Sequence, residues 1–502
     1  MDNDPSRKDS SPDKKSTPPV LQIRSLPEQA MKTASTHPAF SAAREVIRIM
    51  GEHGGTALIV GGAVRDLILN RKIRDLDLAA DMNPAEISER FKTYPVGKSR
   101  DFKTLCIVHQ GHHFETTSFR GLNNKTVWPA TMQDQTRLVF SRDAMHRDFT
   151  INAMALDRDL NLIDPWEGLM DLKSGLIRGV QDPGARILED ELRMLRAVRL
   201  AAELGLNLEQ ETAAAIKKHA QMISKAAPER ISRELIKAAS LPGCGFAQSI
   251  RLMDDLGLLE HLLPEITALK NLPHDPRHHP EGDVFAHTLR AIEVNTEADP
   301  VLNMALLVHD AGKAETIRFK QGQATYPGHA RAGEKLAASL GERLRLSREM
   351  ILAVQTVTAL HMHMHSLHLM RTSKILELME NPFWGLLVNA ARCDQAARGR
   401  KNLLELEKNL ARARDRVREW VDEKNGCIKP VITGRQVLEH TGIKPGPLVG
   451  TIIRKTTVWA RDNHIRDESM ILKHALHLAR MLSRDNGQDS ALSGTDHGHN
   501  QP

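Results

Sequence analysis

The stretch LIVGGAVRDLILNRKIRDLDLAAD, residues 58–81, runs from an apolar strand into paired glycines, through a short helix, and on to two aspartates separated by one leucine. Residues two apart in a strand share a face, so Asp75 and Asp77 are expected to point one way while Leu76 and Leu78 enter a core. Two like charges on one face repel unless something positive lies between them, and a divalent cation is the usual answer. An Asp-x-Asp pair alone is more often a solvated strand face. Its neighbours change that reading. Gly61 and Gly62 stand where strand gives way to helix, a place where absent side chains let backbone N–H groups approach a phosphate and the helix N-terminus attracts its charge. Arg65, one turn in, is positioned for a triphosphate. Glu115, alternating within HHFETTSF (112–119), is either a third carboxylate from a neighbouring strand or a surface glutamate.

Around this stretch the chain is long and unremarkable in bulk. At 502 residues with 41% hydrophobic content it suits three or four domains of ~100–200 residues each. A net charge of +6 suits an anionic partner but equally an ordinary basic protein. The four cysteines (Cys106, Cys244, Cys393, Cys427) lack CxxC spacing, so neither a disulfide framework nor a thiolate zinc site is indicated. No apolar run approaches the ~18 residues needed to span a bilayer and no signal-like segment opens the chain, so the expectation is a cytoplasmic protein with no membrane partner. Residues 1–37 and 484–502, poor in large apolar groups, are expected to be disordered. Between them, TALIV, DLDLAAD, TLCIVHQ and HHFETTSF read as strands and AFSAAREVIRIMGEH and PAEISERFKTY as helices, giving an α/β unit over 38–177. From 178 onward the periodicity is helical, with Pro- and Gly-rich seams at 271–283 and 425–434 that divide it into 178–270, 271–424 and 425–483. The fold class is therefore α+β, a small head followed by an extended all-helical body.

Five segments in order carry a family resemblance. GGAVRD followed by DLD, then HRDFTINAMALD (146–157), LIDPWEGLMDLKSGLIRGV (162–180), EDELRMLRAVRLAAELG (189–205) and PERISRELIKAA (228–239) together resemble the class II tRNA nucleotidyltransferase and bacterial poly(A) polymerase family, within the polymerase-β-like nucleotidyltransferases. His146 departs from it, standing where the family has the first of two arginines; Arg147 and Asp148 carry over as nucleotide-binding residues. The resemblance implies Asp75 and Asp77 as magnesium ligands, with Glu115 beside them, and Arg65 and Arg147 as partners of the triphosphate. Magnesium is the hard, oxygen-preferring ion usually bound with substrate phosphates.

The segment from Glu189 is read as one helix with Asp190 and Arg193 three apart and Arg193, Arg196 and Arg199 along one side. On residues alone this is an i,i+3 ion pair and an exposed basic face. The resemblance implies instead that Asp190 and Arg193 pair with the incoming base, while Arg196 and Arg199 meet phosphates or the helix dipole. Cytosine and adenine each offer an amine donor beside a ring-nitrogen acceptor, which matches a carboxylate beside a guanidinium; uracil and guanine do not. CTP and ATP are therefore the expected substrates. The polar segment 121–144 is read as an irregular functional loop.

In the helical body, HHPEGDVFAHTL, ALLVHDAGKAET, YPGHARAG and ARCDQAARGR resemble an HD domain over 271–424. That resemblance implies a second divalent transition metal held by His287, His309, Asp310 and Asp394, with His329 as a further ligand or phosphate contact and His361 or His363 as a supplementary one. Arginines along EKNLARARDRVREW (407–420) form a phosphate-binding surface or a solvated face, and with aromatics at 4% recognition of RNA is expected mainly through shape and phosphates. The leading function is template-independent addition of CCA to the tRNA 3′ end by a monomer or homodimer. Poly(A), CC-only or A-only addition stay open, as does an HD phosphohydrolase with an RNA-binding head.

Overall fold

A computed structural model describes residues 23–96, 104–120, 132–274, 282–422 and 431–485, apart from 464 and 466. Two compact units divide the chain, one made chiefly of residues up to Thr267 and the other chiefly of residues from Ala268 on.

The first unit contains an eight-stranded sheet: β1 (Ile23–Arg24), β2 (Ala57–Val60), β3 (Leu76–Ala80), β4 (Lys92–Pro95), β5 (Thr104–His109), β6 (His112–Ser118), β7 (Ala155–Leu156) and β8 (Leu162–Ile163), in the order β1-β8-β7-β2-β3-β6-β5-β4. β3 and β6 run parallel, and the other neighbours in this sheet run antiparallel. All four residues of β2 are buried, as suits a central strand covered on both faces. The helix Pro38–Glu52 lays Phe40, Val46, Ile47 and Met50 against the sheet. On the other side Leu58, Val60 and Ala79 pack with Val139, Phe140 and Ala144 of the helix Met132–Met145. Burying a side chain such as Phe40 or Phe140 contributes roughly 1.5–3 kcal/mol. Gln110 and Gly111, both at positive φ (48° and 77°), form the two-residue turn that fixes the β5–β6 register.

The sheet leads into helices Pro183–Glu189, Leu192–Leu204, Gln210–His219, Pro228–Ala239 and Gly243–Asp255. Leu192–Leu204 buries Leu195, Val198, Leu200 and Ala201, among others, and packs on Pro228–Ala239 and Gly243–Asp255. In the second unit, helices Val284–Glu293, Arg348–His365 and Arg400–Asp422 pack on Trp384–Arg398, while Gly434–Thr441, Pro447–Asp462 and Glu468–Asp485 share a core of Ile432, Val437, Ile452, Ile471 and Ala475. The α+β architecture read from the sequence is what the structure has. Among the described residues no helix is long and apolar enough to cross a membrane.

Local readings differ in four places. Disorder was expected through residue 37, but β1 pairs with β8 and the helix Glu28–Thr36 is formed, burying Ala30 and Ala34 one turn apart. Small side chains give close packing without a hydrophobicity signal. PAEISERFKTY is helical only to Arg90; Phe91 is buried and Lys92–Pro95 pairs with β5, which suits the β-branched and aromatic pair Thr93 and Tyr94. Within 121–144, the helix Met132–Met145 replaces the second part of the expected loop, and 121–131 lies outside the described residues. Strands also persist beyond 178: Leu176–Ile177 pairs with Asn207–Leu208, and Arg318–Lys320 with Gln323–Thr325. Residues 1–22 and 486–502, and parts of both seams, lie outside the described residues.

Candidate active site and metal centre

The turn from β2 into the helix Gly62–Ile68 is built on Gly61, whose φ of 77° is one that L side chains rarely adopt. A Cβ there would also stand 3.3 Å from Arg147 Nη1, so the bare backbone is what lets this arginine close over the turn. Asp75 is exposed just ahead of β3, Asp77 is half-buried within it, and Glu115 lies directly opposite Asp77 in β6. Burial, then the charges of Glu115 and Asp75, push the Asp77 carboxyl up to about 6, against a smaller pull from Arg147. Carboxylates that raise one another form an all-oxygen donor set with excess negative charge, which fits a hard divalent cation such as magnesium.

These groups line a cleft of about 490 Å³ together with Arg65, Arg147, Asp148, Asp190, Arg193, Arg196 and Arg199. The structure thus brings the head residues singled out by sequence to one place, but gives several of them protein partners. Arg65 is buried, with its guanidinium on Asp66 Oδ1 (2.9 Å) and Asn152 Oδ1 (2.8 Å). Arg147 donates to Asp143 Oδ2 (2.9 Å). Asp148 is buried and accepts from Phe149 N and Asn152 Nδ2, with Arg196 Nη2 at 2.8 Å. Burial opposes ionisation of Asp148, yet Arg196 and these hydrogen bonds hold the carboxyl below its usual range. Arg199 is tied to Glu234 (2.8 Å) and Glu203 (2.6 Å), so its charge is already balanced rather than presented to phosphate.

Asp190 is not on a helix with Arg193. It sits in extended backbone at the break between Pro183–Glu189 and Leu192–Leu204, where its Oδ1 accepts from Leu192 N in a local turn and Oδ2 meets Arg230 Nη2 at 3.0 Å. Arg193 donates to the carbonyls of Arg186 and His146 and to Glu189 (3.0 Å). Instead of pairing i,i+3, the two side chains are fixed by separate partners. Through its carbonyl, His146 helps hold Arg193. Sequence reading missed Asn152, Asp143, Glu234 and Arg230, although Asn152 lies inside the quoted HRDFTINAMALD and Arg230 and Glu234 inside PERISRELIKAA.

In the second unit, His287, His309 and Asp394 converge, as do Asp310, His329 and His361, all six buried. His309, His329 and His361 each set Nδ1 on the backbone carbonyl three residues back (2.7, 2.9 and 2.8 Å), which turns Nε2 toward Asp310 at 3.2, 3.5 and 3.7 Å. His329 Nε2 and His361 Nε2 are 3.2 Å apart. Burial, helped by His309 and His329, pushes His361 down to about 3, so both facing nitrogens are lone-pair donors that a cation between them would satisfy. Burial opposes ionisation of Asp310, but Lys313 and His309 hold it well below the carboxylate range. His287 Nε2 lies 2.8 Å from Asp394 Oδ1. The set fits a divalent transition metal. Of the histidine run, His361 joins the cluster, His365, one turn further along the same helix, reaches Asp394 Oδ2 (3.0 Å), and His363 is outside the cluster.

Residues 57–178 match the family model described as the Poly A polymerase head domain, and 205–270 that described as a probable RNA and SrmB-binding site of polymerase A. The chain is 34% identical over 333 residues to the multifunctional CCA protein of Halorhodospira halophila, covering 64% of this chain and 77% of that one. With the protein of the same description from Alkalilimnicola ehrlichii it shares 32% over 364 residues, 69% of this chain and 84% of that one. The chain belongs to the CCA-adding enzyme family. Its match to the CCA-adding enzyme of Lactobacillus johnsonii is 40% identical but takes in 48% of this chain and 58% of that relative. The fold is similar to the crystal structure of the Bacillus stearothermophilus CCA-adding enzyme in complex with CTP (TM-score 0.58, 23% identity, 90% of this chain and all of that one) and to the Thermotoga maritima enzyme complexed with tRNA (TM-score 0.53, 18%, 91% and 98%). The family resemblance read from the motifs is borne out.

Proposed function

We propose that the chain is a template-independent RNA nucleotidyltransferase that adds C and A residues to the tRNA 3′ end from CTP and ATP. The observation that carries this reading is the meeting, in one cleft, of the Gly61 anion turn, the Asp75–Asp77–Glu115 carboxylates and the Asp190 and Arg193 side chains. Relatives named for CCA addition, and similar folds holding CTP or tRNA, support it. Asp75 and Asp77 would hold magnesium, which when bound lowers the pKa of the attacking hydroxyl and stabilises the pyrophosphate leaving group. The backbone after Gly61 and Arg147 take the triphosphate charge, Asp143 keeps Arg147 aimed, and Asp148 anchors Arg196 at the cleft wall. Asp190 accepts from, and Arg193 donates to, the pairing edge of cytosine or adenine. Incubating the protein with tRNA ending before CCA, after C and after CC, one triphosphate at a time, tests it: C, C and A should be added in that order. Processive A addition to any RNA would favour the poly(A) alternative.

A second reading rests on the 3.2 Å His329–His361 approach. The buried histidine cluster binds a divalent transition metal and hydrolyses phosphoesters at RNA ends, as an additional activity of the same cytoplasmic enzyme. Metal analysis of the purified protein and hydrolysis of a nucleoside 2′,3′-cyclic phosphate test it; an inert, metal-free cluster would leave a structural platform.

A further inference from the structure

An unbroken row of cross-strand partners leaves the candidate active site. Val60 pairs with Asp77, Asp77 with Glu115, Glu115 with Cys106 and Cys106 with Tyr94, and directly opposed residues share a face. The row therefore starts beside the Gly61 anion turn, crosses the carboxylates, and ends on Tyr94 in the outermost strand, three strand spacings or roughly 14 Å beyond Asp77. Tyr94 is 41% exposed and its hydroxyl is 2.6 Å from His113 Nδ1, which fixes the ring against β6; His113 lies two residues from Glu115 and on the same exposed face. Cys106, between Glu115 and Tyr94 in the row, is buried.

The direction of the row gives it meaning. In an in-line displacement the attacking oxygen and the leaving group stand on opposite sides of the reacting phosphorus. The triphosphate side is marked by Gly61 and Arg147, so the RNA hydroxyl must arrive across Glu115, over β6, β5 and β4. We propose that the single-stranded 3′ end of the RNA acceptor lies along this row and that Tyr94, braced by His113, is the stacking platform for a base just upstream of the reacting nucleotide. This rests on the nucleotidyl-transfer reading and adds the path of its second substrate. An exposed aromatic on a polar sheet face suits this task because every base has a stacking surface, so the contact tolerates a 3′ end whose sequence changes with each addition.

The test uses full-length protein and an unmodified tRNA transcript ending after the first C, so that the base upstream of the reacting nucleotide is unpaired, with RNA affinity read by anisotropy in the absence of nucleotide and RNA and CTP kinetics read separately. Tyr94→Ala should weaken RNA binding and raise KM for the tRNA about 5-fold or more while leaving KM for CTP unchanged. Tyr94→Phe, which keeps the ring but loses the His113 brace, should bind RNA much closer to the parent than to Tyr94→Ala, and a transcript trimmed to a flush acceptor end should bind parent and Tyr94→Ala alike. Unchanged RNA affinity in a folded Tyr94→Ala variant, an equal rise in KM for CTP, or failure of Tyr94→Phe to restore binding would each overturn the proposal. If the parent binds RNA but transfers nothing, the nucleotidyl-transfer reading falls, while the anisotropy arm still decides whether Tyr94 meets a single-stranded end.

Discussion

Asp77 shows how clustered carboxylates cost stability. Its carboxyl is raised to about 6 in the folded, metal-free protein, against about 4 in an unfolded chain. A folded-state pKa above the unfolded value means that the native state binds the proton more tightly. This contribution favours folding below about pH 4, is lost as pH rises to about 6, and stays lost at neutral pH; two pKa units set its ceiling near 2–3 kcal/mol. With chelator present, Asp77→Asn should therefore be more stable than the parent at pH 7.5 and lose most of that advantage at pH 4.5, while incorporating no nucleotide. Denaturant melts at the two pH values check it, and an advantage independent of pH would show that the carboxylates do not repel. Asp190 and Arg193 make a second residue-scale case. They are held by separate anchors, Arg230 and Glu189, and the proposed pairing with the base predicts that exchanging them as Asp190→Arg with Arg193→Asp weakens use of CTP and ATP and relaxes exclusion of UTP or GTP. Each lost charged hydrogen bond is worth ~1.5–3 kcal/mol, about 10-fold to 150-fold in discrimination. Competition among the four triphosphates reads it, and an unchanged preference would move base selection elsewhere.

At the scale of elements, close approaches decide where ligands meet. Gly312 follows the His309–Asp310 pair, and a Cβ on it would lie 2.1 Å from the His329 carbonyl and 2.4 Å from Gly333 N. Backbone on both sides leaves no flexible side chain to yield. Gly312→Ala should push the helix His329–Arg343 off Asp310, costing about 1–3 kcal/mol and most of the metal affinity of the histidine cluster. Calorimetric titration with manganese into the chelated variant measures this, and parent-like binding would show that the contact is dispensable. Sequence made the β2–turn–helix unit and the carboxylate strand legible because each is written in a local pattern, apolar run, paired glycines and period two, whereas the buried histidine cluster was reached only through the resemblance of four separated segments. It misread β4 as helix because PAEISER has helical propensity and the pairing that overrides it for Lys92–Pro95 comes from β5, beyond the local window. The partners Arg230, Glu234 and His365 were illegible for the same reason: their separations from Asp190, Arg199 and Asp394 run from 29 to 40 residues, and only the fold closes them.

For the whole molecule, the two candidate sites belong to different compact units, with Asp75, Asp77 and Glu115 in the first and the six buried metal-binding candidates in the second. The units have separate sets of core residues, and no residue is shared between the two clusters. Their donor chemistry differs as well: carboxylate oxygens alone suit magnesium, whereas imidazole with carboxylate suits a transition metal. The expected outcome is two activities separable by residue and by ion. His309→Ala removes a nitrogen aimed at Asp310 and should abolish metal-dependent hydrolysis of a nucleoside 2′,3′-cyclic phosphate, while the rate of C and A addition in magnesium stays within about 2-fold of the parent. Asp75→Ala should do the reverse. Asp75 is exposed, so its removal leaves no buried group unpaired and the variant should fold as the parent does. A purified parent supplied with magnesium alone should add nucleotides, and hydrolysis should respond to manganese or nickel. Loss of both activities in a well-folded His309→Ala variant would mean that the histidine cluster supports the head as well as itself, and the picture of two independent metal sites would be wrong.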